Sequence, residues 1–141
     1  MDQELMTYIT GVAHVGIAVP DIEAAAKQYE LFGFVPLTKD IVRAEAHGVR
    51  AYMMENHGFV VELLSPLEPG KESPIDSYLA TKPYKIYHIA YYTSDFEAQI
   101  ALLQKHRFIM TGEPAESTLQ KGKRTVFLAN RKFGVIELVE A

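Results

Sequence analysis

The sequence predicts an α+β fold made of two tandem βαβββ modules with mixed strands. Three observations predict it. An internal repeat relates the two halves. Each half reads as the same string of elements. Each half carries one His on its first strand and one Glu on its last. The 141 residues suit a single domain, with module one at about 8–66, a connection at 67–84 and module two at about 85–141.

The repeat has an offset of 74. Val12–Ala24 aligns with Ile86–Ala98, placing His14 on His88, Asp21 on Asp95, Glu23 on Glu97 and Ala24 on Ala98. The ends of the halves match too. Phe59-Val60-Val61-Glu62-Leu63 parallels Val135-Ile136-Glu137-Leu138 after one residue is closed up. His14 to Glu62 is 48 residues and His88 to Glu137 is 49, so the matches keep order and spacing.

The elements follow in order. Val12–Val19 is a short run of small and β-branched residues, hence a buried strand. A helix begins near Asp21, with Ile22, Ala25 or Ala26, and Tyr29 on one face, and Gly33 ends it. Strands fit Phe34–Lys39, Val49–Met54 and Phe59–Leu64, with a turn at Asn56-His57-Gly58. In the second half Ile86–Tyr92 is a strand. Ser94 and Glu97 form a capping box ahead of the helical face Phe96, Ile100 and Leu103. Strands fit Arg107–Thr111, Thr125–Ala129 and Val135–Val139. Between the halves, Ser65–Lys85 is too long for a plain linker. Its Ser73-Pro74-Ile75-Asp76 reads as a short helix start, packed down by Ile75, Tyr78 and Leu79. Gly112–Lys123 reads as a second polar loop, and both segments are expected to border a binding site.

Composition narrows the function. Apolar residues are 48% and charged residues 23%, as in ordinary globular domains. A net charge of -4 speaks against general nucleic-acid binding. The absence of cysteine removes disulfides, thiolate metal sites and a cysteine nucleophile together. No stretch nears 18 consecutive apolar residues, and Met1–Tyr8 lacks the pattern of a secretory signal, so a cytoplasmic protein with no membrane partner is expected. No nucleophile-elbow spacing or Gly-rich phosphate loop is present.

The strongest chemical signal is a contradiction. Strand residues alternate between faces. Both faces of Phe59–Leu64 and of Val135–Val139 are apolar apart from Glu62 and Glu137. A carboxylate is almost never fully buried unless paired or bound to a metal. His14 and His88 likewise sit among small or apolar neighbours, Gly16 and Ala18 beside one, Ala90 beside the other. If the first and last strands of each module are neighbours, a pseudo-twofold axis brings both His-Glu pairs to one cavity. Two imidazoles and two carboxylates suit one divalent ion such as Zn, Co, Ni or Mn, with positions left for substrate.

These residues resemble the vicinal oxygen chelate superfamily, and within it the methylmalonyl-CoA epimerase and glyoxalase I-like branch. The resemblance runs from about Val12 to Val139. It rests on His14-Val15-Gly16-Ile17-Ala18-Val19 with Asp21-Ile22, Glu62-Leu63-Leu64-Ser65-Pro66, Ser73-Pro74-Ile75, His88-Ile89-Ala90 and Gly134-Val135-Ile136-Glu137-Leu138. It implies curved sheets forming a cup around a metal held by His14, Glu62, His88 and Glu137, with the cup closed within one chain or across a homodimer. The chain departs from the family in having Tyr87 before His88, no acid in Val49–Met54, and Asn130–Gly134 in place of the bacterial glyoxalase I turn.

The implied chemistry is proton transfer beside a carbonyl, with Glu137 and Glu62 as the candidate bases. Return of the proton to the same carbon from the opposite face is epimerisation of an acyl-CoA. Return to the neighbouring carbon is the glyoxalase reaction on a thiol hemithioacetal. A resistance protein of the same fold that sequesters an antibiotic is the alternative outside enzymes. His47, His57 and His106 read as solvated. Tyr84, Tyr87, Tyr91 and Tyr92 read as packing. The clusters Lys82/Lys85 and Lys121/Lys123/Arg124 read as solvated faces, the alternative being a coenzyme A phosphate contact.

Overall fold

The computed structural model describes residues 6–80, 85–117 and 121–141. Lys82 and Tyr84 lie outside the described residues.

The first half runs β1 (Ile9–Ala18), α1 (Ile22–Glu30), β2 (Val35–Pro36), β3 (Val42–Ala44), a 3-10 turn at Glu45–His47, β4 (Val49–Asn56) and β5 (Phe59–Pro66). A short helix α2 (Asp76–Leu79) follows. The second half runs β6 (Lys85–Thr93), α3 (Phe96–Lys105), β7 (Ile109–Met110), β8 (Ala115–Glu116), β9 (Arg124–Asn130) and β10 (Gly134–Glu140). The ten strands make one curved, unclosed sheet in the order β2-β4-β5-β1-β6-β10-β9-β7, with β3 on β4 and β8 on β9. That order is the same read from either end, as a twofold-related pair of βαβββ modules requires.

The first and last strands of each half are neighbours: β5 pairs parallel with β1, and β10 pairs parallel with β6. The two halves meet where β1 and β6 run antiparallel. Parallel partners cannot be joined by a tight turn, so a crossover must separate them. In each half the helix and the intervening strands make it. The β4–β5 turn is tight. His57 and Gly58 both take positive φ, 50° and 88°, as a two-residue hairpin of this hand requires.

The helices cover the outer face of the sheet. Ile22, Ala25 and Ala26 of α1 pack on Met54, Val61 and Leu63. Phe96 of α3, with Ile100 and Leu103, packs on Val126, Leu128, Ile136 and Leu138. Full burial of a side chain such as Ile22 or Leu63 contributes about 1.5–3 kcal/mol. Because Val61 and Leu63 face α1, their neighbours Val60, Glu62 and Leu64 face the concave side. There Leu64 packs with Ala18, Val49, Ala51 and Ile75, beneath Tyr78 and Leu79 of the α2 segment.

Four local expectations change. The helix cap of α3 is Asp95, whose carboxylate accepts from Ala98 N at 3.0 Å. Ser94 instead directs its hydroxyl to Tyr8 O at 3.4 Å, so the Ser94–Glu97 capping box is not formed. The true cap repeats Asp21, which accepts from Ala24 N at 3.2 Å. The strand expected at Phe34–Lys39 is broken. Only Val35–Pro36 pairs with the C-terminal end of β4, and Val42–Ala44 resumes the edge along its N-terminal end. Leu37 N still donates to Met53 O at 2.9 Å before the ladder is lost. The strand expected at Arg107–Thr111 shrinks to Ile109–Met110, since Arg107 takes φ 70° on leaving α3. The Gly112–Lys123 loop supplies the missing piece, as Ala115 and Glu116 pair with Thr125 and Arg124. α2 starts two residues after the expected Pro74, with Asp76 Oδ2 accepting from Ser73 N at 2.9 Å.

Candidate metal centre

Four strands deliver one side chain each to the concave face: His14 from β1, Glu62 from β5, His88 from β6 and Glu137 from β10. The pairing explains the convergence. Gly16 lies opposite Glu62 on one side and opposite His88 on the other. Glu137 lies opposite Ala90, and Ala90 opposite His14. All four are buried, exposing 3%, 8%, 2% and 6% of their surface in chain order.

The central ladder is irregular, and the irregularities aim side chains. Between the pairs Gly16/His88 and Ile17/Ile86 the β6 strand carries one extra residue, Tyr87. Such a bulge breaks strict alternation. Tyr87 and His88 therefore both reach Phe127, with ring centroids 5.9 and 5.0 Å away. A second bulge places Ala13 between Val12 and His14.

Nε2 of His14 lies 3.2 Å from Nε2 of His88, and 3.2 Å from Oε1 of both Glu62 and Glu137. Nε2 of His88 lies 3.2 Å from Glu137 Oε1 and 3.6 Å from Glu62 Oε1. All four donor atoms fall within 4.8 Å of one another. Glu137 Oε1 has no hydrogen-bond partner of good geometry among the described residues. It and the two Nε2 atoms crowd together at one point.

The arrangement passes a simple test for a cation. Donors about 2.1 Å from one ion stand about 3.0 Å apart at neighbouring octahedral corners and about 3.4 Å apart in a tetrahedron. Four of the five separations, at 3.2 Å, fall in that range, and His88–Glu62, at 3.6 Å, lies just beyond it. Gly16 makes the cradle possible. A Cβ at that position would lie 2.3 Å from Cε1 and 2.6 Å from Nδ1 of His88.

The electrostatics say the same. Burial alone would depress the His14 imidazole, but Glu62 and Glu137 outweigh it and raise it to about 10. His88 is raised against burial by the same two carboxylates. Burial would raise Glu62 and Glu137, yet the two imidazoles hold both below the ordinary carboxylate range. The cluster is built to hold positive charge, whether a proton or a metal ion.

A cavity of about 290 Å³ opens beside the cluster, with Glu62 and Glu137 in its wall. Ala44, Val49, Ala51 and Leu64 make one side, and Phe127, Thr111 and Gly112 the other. Pro74 and Ser117 belong to the lining too, so both polar segments border it, as expected. Burial and the nearby Tyr78 and Glu137 push the Tyr87 phenol up to about 12, so this cavity-lining hydroxyl keeps its proton at neutral pH.

All four sequence-predicted residues meet, and they do so within one chain. His57 and His106 are exposed, as expected. His47 is the exception. It is half-buried, lines the cavity, and sets its ring edge-on to Phe127 at 5.3 Å. Tyr87 also lines the cavity, and Tyr91 packs under α3. A bulge and a 3-10 turn carry Tyr87 and His47 there, and neither leaves a periodic signal.

Comparison with known proteins follows the same line. Residues 13–127 match the model of the Glyoxalase/Bleomycin resistance protein/Dioxygenase superfamily. The ethylmalonyl-CoA/methylmalonyl-CoA epimerase of Cereibacter sphaeroides is 37% identical over 125 residues, 85% of this chain and 88% of its own. The crystal structure of methylmalonyl-CoA epimerase from Mycobacterium tuberculosis superposes with a TM-score of 0.80 at 26% identity, covering 98% of this chain and 92% of that one. A methylmalonyl-CoA epimerase in complex with methylmalonyl-CoA and NH4+ gives 0.76 at 26% identity, covering 94% and 95%.

Proposed function

The chain belongs to the Glyoxalase/Bleomycin resistance protein/Dioxygenase superfamily, and on that premise we propose that it epimerises the carbon beside the carbonyl of a methylmalonyl-CoA-like thioester. Epimerase relatives and structural neighbours support an isomerase of that kind over a glyoxalase or a sequestering protein. The observation that carries the reading is the convergence of His14, Glu62, His88 and Glu137 on one centre, with both carboxylates in a cavity wall.

His14, Glu62, His88 and Glu137 would hold one divalent ion from the Zn, Co, Ni or Mn group. When bound, such an ion supplies Lewis-acid stabilisation of the carbonyl oxygen as negative charge develops there. Glu137 removes the C2 proton from one face. The electron pair left behind moves onto the carbonyl oxygen. Glu62, from the other module and carrying a proton taken up from solvent, gives it to the opposite face, and Glu137 releases its own to solvent, so the carbon gains a solvent hydrogen for the one it lost. The apolar wall of Ala44, Val49, Ala51 and Leu64 keeps water from the carbon between the two steps. We place the enzyme in the cytoplasm and its assembly as a homodimer.

Single-configuration methylmalonyl-CoA incubated with metal-loaded protein in heavy water tests the activity. Loss of optical purity and deuterium at C2 are expected. Turnover of a glutathione hemithioacetal alone would move the protein to the glyoxalase reaction. No exchange with either substrate would end the enzyme reading.

A further inference from the structure

The metal cluster is a wall shared by two cavities. Glu62 and Glu137 face the one described above. His14 faces a second, of about 420 Å³, with Ala13, Thr38, Tyr92, Lys121 and Lys123 in its lining. The two differ in charge. The first has Glu62, Glu113 and Glu137 in its lining and neither Lys nor Arg. The second has two lysines and no carboxylate.

Three details make the second cavity more than a solvated face. Arg124, next in sequence, is taken up elsewhere: it pairs with Glu97 at 2.6 Å and Glu140 at 2.7 Å and lies 4.6 Å over the Phe96 ring. Lys121 and Lys123 instead line the cavity. The Thr38 hydroxyl beside them is buried and has no hydrogen-bond partner among the described residues. His14 itself is part of the lining.

Distance selects the ligand. Glu137 pairs with Phe127, and Lys123 stands four residues before Phe127, about 13 Å along an extended chain. A carboxylate on the reacting acid stays within a few bonds of its carbonyl and cannot reach that far. A phosphate at the distant end of a thioester arm can.

We propose that this second cavity binds the phosphate groups of the thioester substrate, held by Lys121 and Lys123 with the hydroxyls of Thr38 and Tyr92. The substrate then lies through the cup, with its acyl group in the acidic cavity and its phosphates in the basic one. The assignment rests on the epimerase reading, since it needs a thioester centred on the cluster.

The test compares methylmalonyl-CoA with methylmalonyl-pantetheine, which has the same acyl group and no phosphate. In the double variant Lys121→Glu/Lys123→Glu, the preference in kcat/KM for the CoA ester should fall about tenfold or more, as loss of charge-assisted contacts implies. An unchanged preference would overturn the assignment, whatever the absolute rates. If the wild-type protein turns over neither ester, the epimerase reading has failed, and binding decides the site alone. Adenosine 3′,5′-bisphosphate and inorganic phosphate are titrated calorimetrically into metal-loaded protein. Heat with the nucleotide that the double variant loses supports the site. No heat, or equal affinity for inorganic phosphate, overturns it.

Discussion

Gly16 and His88 stand opposite each other across the β1–β6 ladder, and the missing side chain of one is the space occupied by the ring of the other. A Cβ would come within 2.3 Å of a rigid, fully buried ring whose Nε2 is one of the four donors. Gly16→Ala should therefore displace His88 and lower metal stoichiometry well below that of the wild type. It should also destabilise the fold by about 1–3 kcal/mol, as overpacking does. Elemental analysis with a melting curve reads both. Full metal content at unchanged stability would show that the ring has another place to go.

Protein purified without chelator should carry one divalent transition ion per chain, and His14→Ala or His88→Ala should lose most of it while staying folded. Loading should also release protons. Metal-free protein holds a proton at the cluster at neutral pH because His14 is raised to about 10. Calorimetry in buffers of different ionisation enthalpy counts the protons expelled at pH 7.5. Release of none would contradict the raised imidazole.

The same shift sets the pH dependence of metal-free stability. A raised imidazole contributes stability that is fully present below 6.5 and is lost as pH rises through about 10. The lowered Glu62 and Glu137 contribute stability present above 4.5 and lost as pH falls. Metal-free protein should thus melt highest between about pH 4.5 and 6.5, and the rise in Tm on adding Zn should widen from there toward pH 9. A Zn increment that is flat across that range would refute the balance.

Glu137→Gln keeps the side chain's shape and removes the base. Turnover should fall about 10²–10⁴-fold with a much smaller change in substrate binding. Glu62→Gln separates two roles. If Glu62 serves the second face, deuterium exchange should persist for one C2 configuration and fail for the other. Near-normal exchange of both would leave Glu62 as a ligand only.

Asp21→Ala and Asp95→Ala should each cost about 1 kcal/mol in urea melts, because each carboxylate caps a helix in the same way. Ser94→Ala should cost less than either, since its hydroxyl reaches only Tyr8 O. The opposite ranking would restore Ser94 as the cap.

The repeat made most of this legible. Asp21, the buried faces of both helices, and Glu62 and Glu137 at matching strand positions could all be placed by period and spacing, and the repeat, which sets Asp95 on Asp21, is a truer guide to the second cap than the local Ser94–Glu97 spacing. The broken edge strands could not. Whether Val35–Pro36 and Val42–Ala44 pair depends on where β4 offers its free ladder, which is a property of the partner. His47 was hidden for a related reason. Its position in the cavity follows from a 3-10 turn whose Gly48 leaves at φ 66°, with Phe127 of the other half closing over it.

What the sequence determined by itself was periodic or repeated: the fold class, the two helices, and four polar residues on otherwise apolar strands. Hydrophobic alternation and a 74-residue offset are local or pairwise in sequence, so a reader of the chain can find them. Register was settled by the packing of the strands. Bulges at Ala13 and Tyr87 shift the β1–β6 ladder by single residues. A one-residue shift reverses which face a side chain takes. Those shifts set four donor atoms around one centre, gave His88 the space at Gly16, and left acidic residues on one side of the cluster and lysines on the other.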